Sequence, residues 1–213
     1  MSNKTDAVSL DIHTVIRNRH SVKHYDPTHH LSQQEILSLL EMASLAPSAW
    51  NLQHWKFLAI TELEAKEKLL PIAYGQRQVV EASAVIAILG DLQANLNAET
   101  VYGPLVQAGM MAEDIKSSLV GQIEFAYANE PSVPRDEAIR NASLAAMQLM
   151  LAAKATGLDS CPMGGFDAAQ FVEAFGVPPR YIPVMLVAIG KAALPARPSA
   201  RYPVHETVIW NTF

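Results

Sequence analysis

The sequence holds one cysteine, Cys161, in 213 residues. A single thiol excludes an internal disulfide framework and agrees with a reducing compartment. A Cys-His nucleophile is formally open to it, but the commoner use of such a residue is as a small buried hydrophobe. Charge is scarce too: 17% of residues are Asp, Glu, Lys or Arg, and the formal net charge is −5. No Lys/Arg cluster offers a stripe for tracking phosphates, which argues against a nucleic-acid partner. So little charge, on a chain that is half hydrophobic, implies that a partner covers part of the surface. Long apolar runs are missing. The longest nearly apolar stretch, residues 142–153, is broken by Gln148 and is too short to span a bilayer. The N-terminal MSNKTDAVSLDIHTVI lacks the apolar core of a secretory signal, so a cytoplasmic, membrane-free protein is expected. The nucleotide signatures GxGxxG and GxxxxGK(S/T) and the GxSxG elbow are also absent, which shifts the expected chemistry from side chains to a bound cofactor.

What is present reads as one domain over residues 1–213, with helices set among a few strands: an α+β fold on a small mixed sheet. Ser32 to Glu35 forms a capping box that opens a helix to about residue 46, where Pro47 stops it. Residues 55–61 (WKFLAIT) read as a strand. Thr61 to Glu64 reads as a second capping box, for a short helix ending near Leu70-Pro71. Residues 84–89 (AVIAIL) form a run suited to a strand buried on both faces. The pattern over 101–127 is helical but interrupted at Gly103-Pro104 and Gly109. Residues 136–156 form a long central helix, ended by Gly157, with almost no polar face; such a helix is buried nearly all round, most easily with help from a second subunit. Asp167 caps a short helix that ends at Gly176, and residues 181–190 (YIPVMLVAIG) form a last buried strand. The final stretch, 191–213, carries three prolines together with Tyr202, Val204, Ile209, Trp210 and Phe213. It is expected to be an extended arm lying along its own domain or embracing a partner.

Four segments carry candidate chemistry. Residues 46–55 (APSAWNLQHW) join a helix to a strand with Ser, Asn, Gln and two Trp. A loop built only to turn favours Gly, Asp and Asn; short polar groups beside aromatic faces suit a flat, hydrogen-bonding ligand. The alternative is a helix end with Trp50 and Trp55 in the core. Arg19, His20, Ser21 and Lys23 offer fixed charge and donors for an anion, or an ordinary basic helix end. His20 and His24, four apart, lack an acidic neighbour between them and a third ligand, so no metal site is expected. Gln76 and Gln78 read as amides for a heterocycle edge or as a polar turn. Residues 161–166 (CPMGGF) place two glycines where backbone can approach a flat ligand, or where a turn feeds the next helix. Arg197 and Arg201 are within the arm and could meet a phosphate.

RHSVK at 19–23, APSAWNLQHW at 46–55, CPMGGF at 161–166 and SARYP at 199–203 stand in nitroreductase order and spacing. Over nearly its whole length the chain resembles the FMN-dependent, NAD(P)H-using nitroreductase family, in its bacterial subgroup of hydroquinone- and quinone-linked reductases. The resemblance implies a nitroreductase-like α+β fold, a homodimer and two tightly held FMN at the dimer interface. By the same match, Arg19, His20, Ser21 and Lys23 of one subunit hold FMN, with Arg19 at the phosphate and Lys23 by the pyrimidine side. Pro47, Ser48 and Asn51 come from the other subunit, and Gln76 and Gln78 stand beside the flavin. Pro162, Met163, Gly164 and Gly165 run along the ring, the Gly164 N–H towards N5, while Arg201 closes on the phosphate. Better-known members carry an acidic residue where Gly164 stands, a Lys where Gln78 stands and a tail Lys where Ser199 stands; Arg197 is the substitute expected for that tail charge. The implied activity is ping-pong hydride transfer from NAD(P)H through FMN to a nitroaromatic or quinone. The alternatives are a flavin-binding storage or sensing protein without efficient turnover, and a ligand-free structural dimer.

Overall fold

The computed structural model describes residues 11–213; the expectations that touch residues 1–10 lie outside them. Asp11 caps α1 (Ile12–Asn18), its carboxylate accepting from the amides of His13 (2.9 Å) and Thr14 (3.2 Å). The Ser32–Glu35 capping box forms as expected, the Glu35 amide donating to Ser32 Oγ (3.2 Å) and the Ser32 amide to Glu35 Oε2 (2.8 Å), and opens α2 (Gln33–Ser44). A short 3-10 turn, Ala49–Asn51, leads to β1 (Trp55–Ile60), α3 (Leu63–Ile72), α4 (Gln78–Glu81) and β2 (Ala84–Asp91). Then come α5 (Ala98–Gln107), α6 (Glu113–Asn129), α7 (Val133–Ala155), β3 (Asp159–Met163), α8 (Ala168–Phe175), β4 (Tyr181–Gly190) and α9 (Val204–Thr207).

The strands form one sheet in the order β1-β2-β4-β3, antiparallel at every step. The mixed sheet expected from sequence is thus antiparallel in its four strands, and among the described residues its parallel component is a single bridge from Ser21 to Ser160. Strand β2 is central, and its alternate side chains enter two different cores. Ala84, Ile86 and Ile88 pack with residues of α2 and α7 on one face. Val85, Ala87 and Leu89 pack on the other with Leu69, Val79 and Phe171 from α3, α4 and α8. A smaller third cluster joins Leu52 to α5 and α6 through Tyr102 and Ile123. Helix α7 crosses β2 very closely: a Cβ at Gly90 would stand 2.9 Å from the Ala138 carbonyl oxygen.

Three elements differ from their sequence reading. The Thr61 capping box does not form; α3 starts with Glu62 in the cap position and no side-chain cap bond, because the chain leaves β1 still extended and the turn closes one residue later. Helix α7 begins at Val133 rather than Asp136, with Pro134 in its first turn, where the missing N–H costs nothing. Residues 159–163 form a strand instead of only a turn. Asp, Ser and Pro are poor strand formers, and it is the ladder to β4 that makes them extended. Burial on α7 is one-sided in the single chain: Ala142, Ala145, Ala146 and Leu149 are buried, whereas Leu144 and Met147 are exposed. Among the described residues no helix is long and apolar enough to cross a membrane.

Candidate functional site

The sequence-predicted residues fall into two groups, with Arg197 and Arg201 of the C-terminal arm apart from both. The first gathers on the β3 edge. Past α1 the chain runs beside β3, with the Val22 amide donating to the Ser160 carbonyl (3.1 Å). Alternation then buries Val22 in the core beside Cys161 and Met163 and turns Ser21 and Lys23 to solvent. Arg19 and Lys23 both lie near enough to Cys161 to pull its thiol pKa down, but burial outweighs them and pushes it up. A buried thiol held neutral is a packing group, not a nucleophile.

The amides of Gln76 and Gln78 belong to this group and are used inside the protein. Gln78 is buried; its Nε2 donates to Gln76 Oε1 (3.0 Å) and to the Met163 sulfur (3.3 Å). Gln76 Nε2 in turn donates to the carbonyls of Gly165 (2.7 Å) and Ala73 (3.1 Å). This relay fixes the loop after β3. What the loop leaves free is backbone: nothing lies within 4 Å of where a Gly164 Cβ would stand, and the N–H groups of Gly164 and Gly165 donate to no acceptor among the described residues. Arg19, His20 and Lys23 form no ion pair among those residues. Uncommitted cations beside uncommitted amide donors make this edge a surface for an anionic, acceptor-rich ligand.

The second group is the loop entering β1. Pro47 and Asn51 are exposed and Ser48 is half-buried. The backbone is left-handed at Trp50 (φ 51°), Asn51 (φ 55°) and Gln53 (φ 53°), a conformation costly for side chains other than Gly and Asn. The Gln53 amide donates to Ser48 Oγ at 3.0 Å. Sequence reasoning missed the residues that hold this loop. Asn141 Oδ1 accepts from the Ala49 amide (2.8 Å), Tyr102 Oη donates to the Trp50 carbonyl (2.7 Å), and Asn97 Nδ2 donates to the Leu52 carbonyl (2.9 Å). Asn141 did carry a signal, as a polar residue inside an apolar helix. Asn97 and Tyr102 carried none, because their partners are backbone atoms about fifty residues away.

The two groups do not meet in one chain. Ser21 pairs with Ser160, which is level with Ile189 and Ala84, whereas Trp55 is level with Gly90, six positions further along β2. With about 3.3 Å per residue and about 4.8 Å per strand, the Arg19–Lys23 end of the first group lies diagonally across the sheet from the loop, on the order of 25 Å away. The Gly164-Gly165 end, just past Met163 and its neighbours Leu186 and Ala87, lies three strands over and on the order of 15 Å away. The arm stands apart as well. It is tied down through Ala193, whose amide donates to the His24 carbonyl (2.9 Å). Beyond that Arg197, Arg201, Tyr202 and Ile209 are exposed, and Trp210 is 82% exposed. A groove of about 560 Å³ between α2 and the end of α7, lined by Leu39, Met42, Ala152 and Leu158, holds none of the predicted residues.

The family model described as the nitroreductase family matches residues 16–191. The Bacillus subtilis (strain 168) protein named "Putative NAD(P)H nitroreductase YodC" is 52% identical over 196 residues, covering 92% of this chain and 96% of its own. The CLA biosynthesis enone reductase of Lactiplantibacillus plantarum is 34% identical and covers 92% of each chain. A protein of Exiguobacterium sibiricum 255-15, crystallised in complex with FMN, superposes with a TM-score of 0.89 at 40% identity, covering 95% of this chain and 98% of that one. With its fold and most of its length matched in this way, the chain belongs to the nitroreductase family.

Proposed function

We propose that this chain is an FMN-dependent oxidoreductase that takes hydride from NAD(P)H and passes it to a nitroaromatic or quinone, at two sites shared between the subunits of a homodimer. The observation that carries the reading is the separation of the two residue groups. One presents cations and free amides, the other a rigid polar loop, and the span between them exceeds that of a single tricyclic ring. Pairing the β3 edge of one subunit with the 47–53 loop of another completes a site that neither completes alone. The exposed Leu144 and Met147 of α7 and the apolar arm supply surface for that pairing.

The residues fit the cofactor. Arg19, with Arg201 and Arg197 of the arm, offers guanidinium groups for a phosphate of roughly −1.5 to −2 charge. His20 and Ser21 add donors on the same edge. The free amides of Gly164 and Gly165 suit acceptor atoms of a flat ring, and Pro162 and Met163 form the strand end from which they project. Gln76 and Gln78 hold that loop still. Lys23 provides a fixed ammonium where a reduced ring carries negative charge. Bound FMN supplies the hydride-accepting and hydride-donating centre that no side chain here offers. Pro47, Ser48 and Asn51 close the pocket from the second subunit, and donor and acceptor occupy it in turn, a ping-pong order.

The test is the visible absorption spectrum of the purified protein before and after anaerobic NADH, then NADPH, followed by a nitroaromatic or a quinone. Flavin bleached within the mixing time and restored by either acceptor is the expected result. Bound flavin that both donors leave oxidised would favour a storage or sensing protein, and protein that refuses added FMN would overturn the reading.

A further inference from the structure

The 48–53 loop is over-determined. Three of its residues outside glycine are left-handed, and three of its backbone groups are each held by a side chain from elsewhere in the fold. Asn141 on α7 takes the Ala49 N–H, Tyr102 on α5 gives its hydroxyl proton to the Trp50 carbonyl, and Asn97 gives an amide proton to the Leu52 carbonyl. These side chains are themselves oriented. Asn141 Nδ2 donates to the Glu137 carbonyl (2.7 Å) and to Glu137 Oε2 (2.8 Å). Asn97 Oδ1 accepts from Arg180 Nη2 (2.8 Å), and Arg180 is clamped on Asp91.

We infer that Asn141, Tyr102 and Asn97 are positioning residues that keep the 48–53 loop in its ligand-receiving form before FMN arrives. The inference rests on the function proposed above. A loop of this strain left to itself relaxes towards extended or right-handed backbone, and ordering it at the moment of binding weakens affinity. Three hydrogen bonds from three separate anchor points remove that cost, because they persist without the ligand. The arrangement also couples α5 to the flavin pocket: a displacement of α5 moves Tyr102 and therefore the Trp50 peptide.

The decisive variant is Tyr102→Phe, which deletes one oxygen and keeps the ring packed in the third core cluster. Two readouts are needed. In apoprotein, amide hydrogen exchange at Asn51 and Leu52, whose N–H groups bond to the carbonyls of Ser48 (2.9 Å) and Ala49 (3.1 Å), should quicken about 10-fold, with Ile86 and Val187 in the sheet unchanged. The Kd for FMN, from quenching of flavin fluorescence, should rise about 10-fold, as expected for one lost hydrogen bond. Unchanged exchange at Asn51 and Leu52 would overturn the inference, and so would faster exchange with wild-type affinity. Wild-type apoprotein that takes up no FMN would overturn the proposed function instead; the exchange rates alone would then decide whether the loop is clamped.

Discussion

Replacing Arg180 by Met should cost far more stability than replacing Asp91 by Asn, although both changes break the same ion pair. The Arg180 guanidinium meets the Asp91 carboxylate with two bonds, Nε to Oδ1 at 2.7 Å and Nη2 to Oδ2 at 2.6 Å. The partners are unequally buried: the Arg180 side chain is 30% exposed and that of Asp91 only 3%. Without Asp91 the guanidinium turns to water and keeps Asn97. Without Arg180 the carboxylate stays buried with the Gln93 amide, 2.9 Å away, as its remaining donor among the described residues. Removing one member of a buried pair costs about 3–5 kcal/mol when a charge is left stranded, whereas a neutral amide beside a solvated guanidinium costs about 1–2 kcal/mol. At roughly 2–4 °C per kcal/mol for a chain of this size, Arg180→Met should lower Tm by on the order of 10 °C and Asp91→Asn by about 3–5 °C. Thermal melts and urea titrations at pH 7 and one fixed protein concentration measure both, since the proposed dimer would make Tm concentration-dependent. Adding Asp91→Asn to Arg180→Met removes the stranded charge and should recover at least about 1 kcal/mol. Equal losses in the two single variants, or strict additivity in the double variant, would refute the argument.

Two further outcomes follow from other parts of the fold. His54 is fully buried with both ring nitrogens unpartnered, and desolvation holds its pKa below the ordinary 6.5 despite the carboxylates of Glu137 and Asp91. Below about pH 6.5 the unfolded chain therefore takes up a proton that the folded chain refuses, so stability falls with pH, by up to about 1.4 kcal/mol per unit. His54→Leu should flatten that slope between pH 5 and 6.5, measured by urea titration; a slope equal to wild type would remove His54 as its source. Ending the chain after Pro195 deletes the exposed apolar arm, and analytical ultracentrifugation should show a dimer at least 10-fold weaker that also loses FMN. An intact, flavin-loaded dimer would show that the arm does not clasp its partner.

Much of the local structure was legible in the sequence because it is set by neighbours. The Ser32–Glu35 box, the Asp167 cap and the αL Gly176 involve residues a few positions apart, and each is found in place. The all-apolar run at 84–89 could only be a central strand, and residues 181–190 form β4 to the residue. Motifs of the candidate site were legible for a related reason: exposed polar residues in a fixed order are recognisable without knowing where they fold. Packing was not legible. Residues 159–163 are poor strand formers made extended by β4, and Thr61 fails as a cap because the chain is still extended at Glu62, which takes the cap position.

The roles of the site residues divide along the same line. Sequence by itself determined which residues are chemically suited to an anion and a flat ring, since Arg19, Lys23 and the Gly164-Gly165 pair need only their own side chains or lack of them. Tertiary structure alone decided what surrounds them. It committed the amides of Gln76 and Gln78 to holding the loop after β3, made Asn141, Tyr102 and Asn97 the supports of the 48–53 loop, and set the two groups along opposite edges of one sheet. Each of these depends on contacts between positions tens to more than a hundred residues apart, and no local pattern encodes which distant backbone group a side chain will meet.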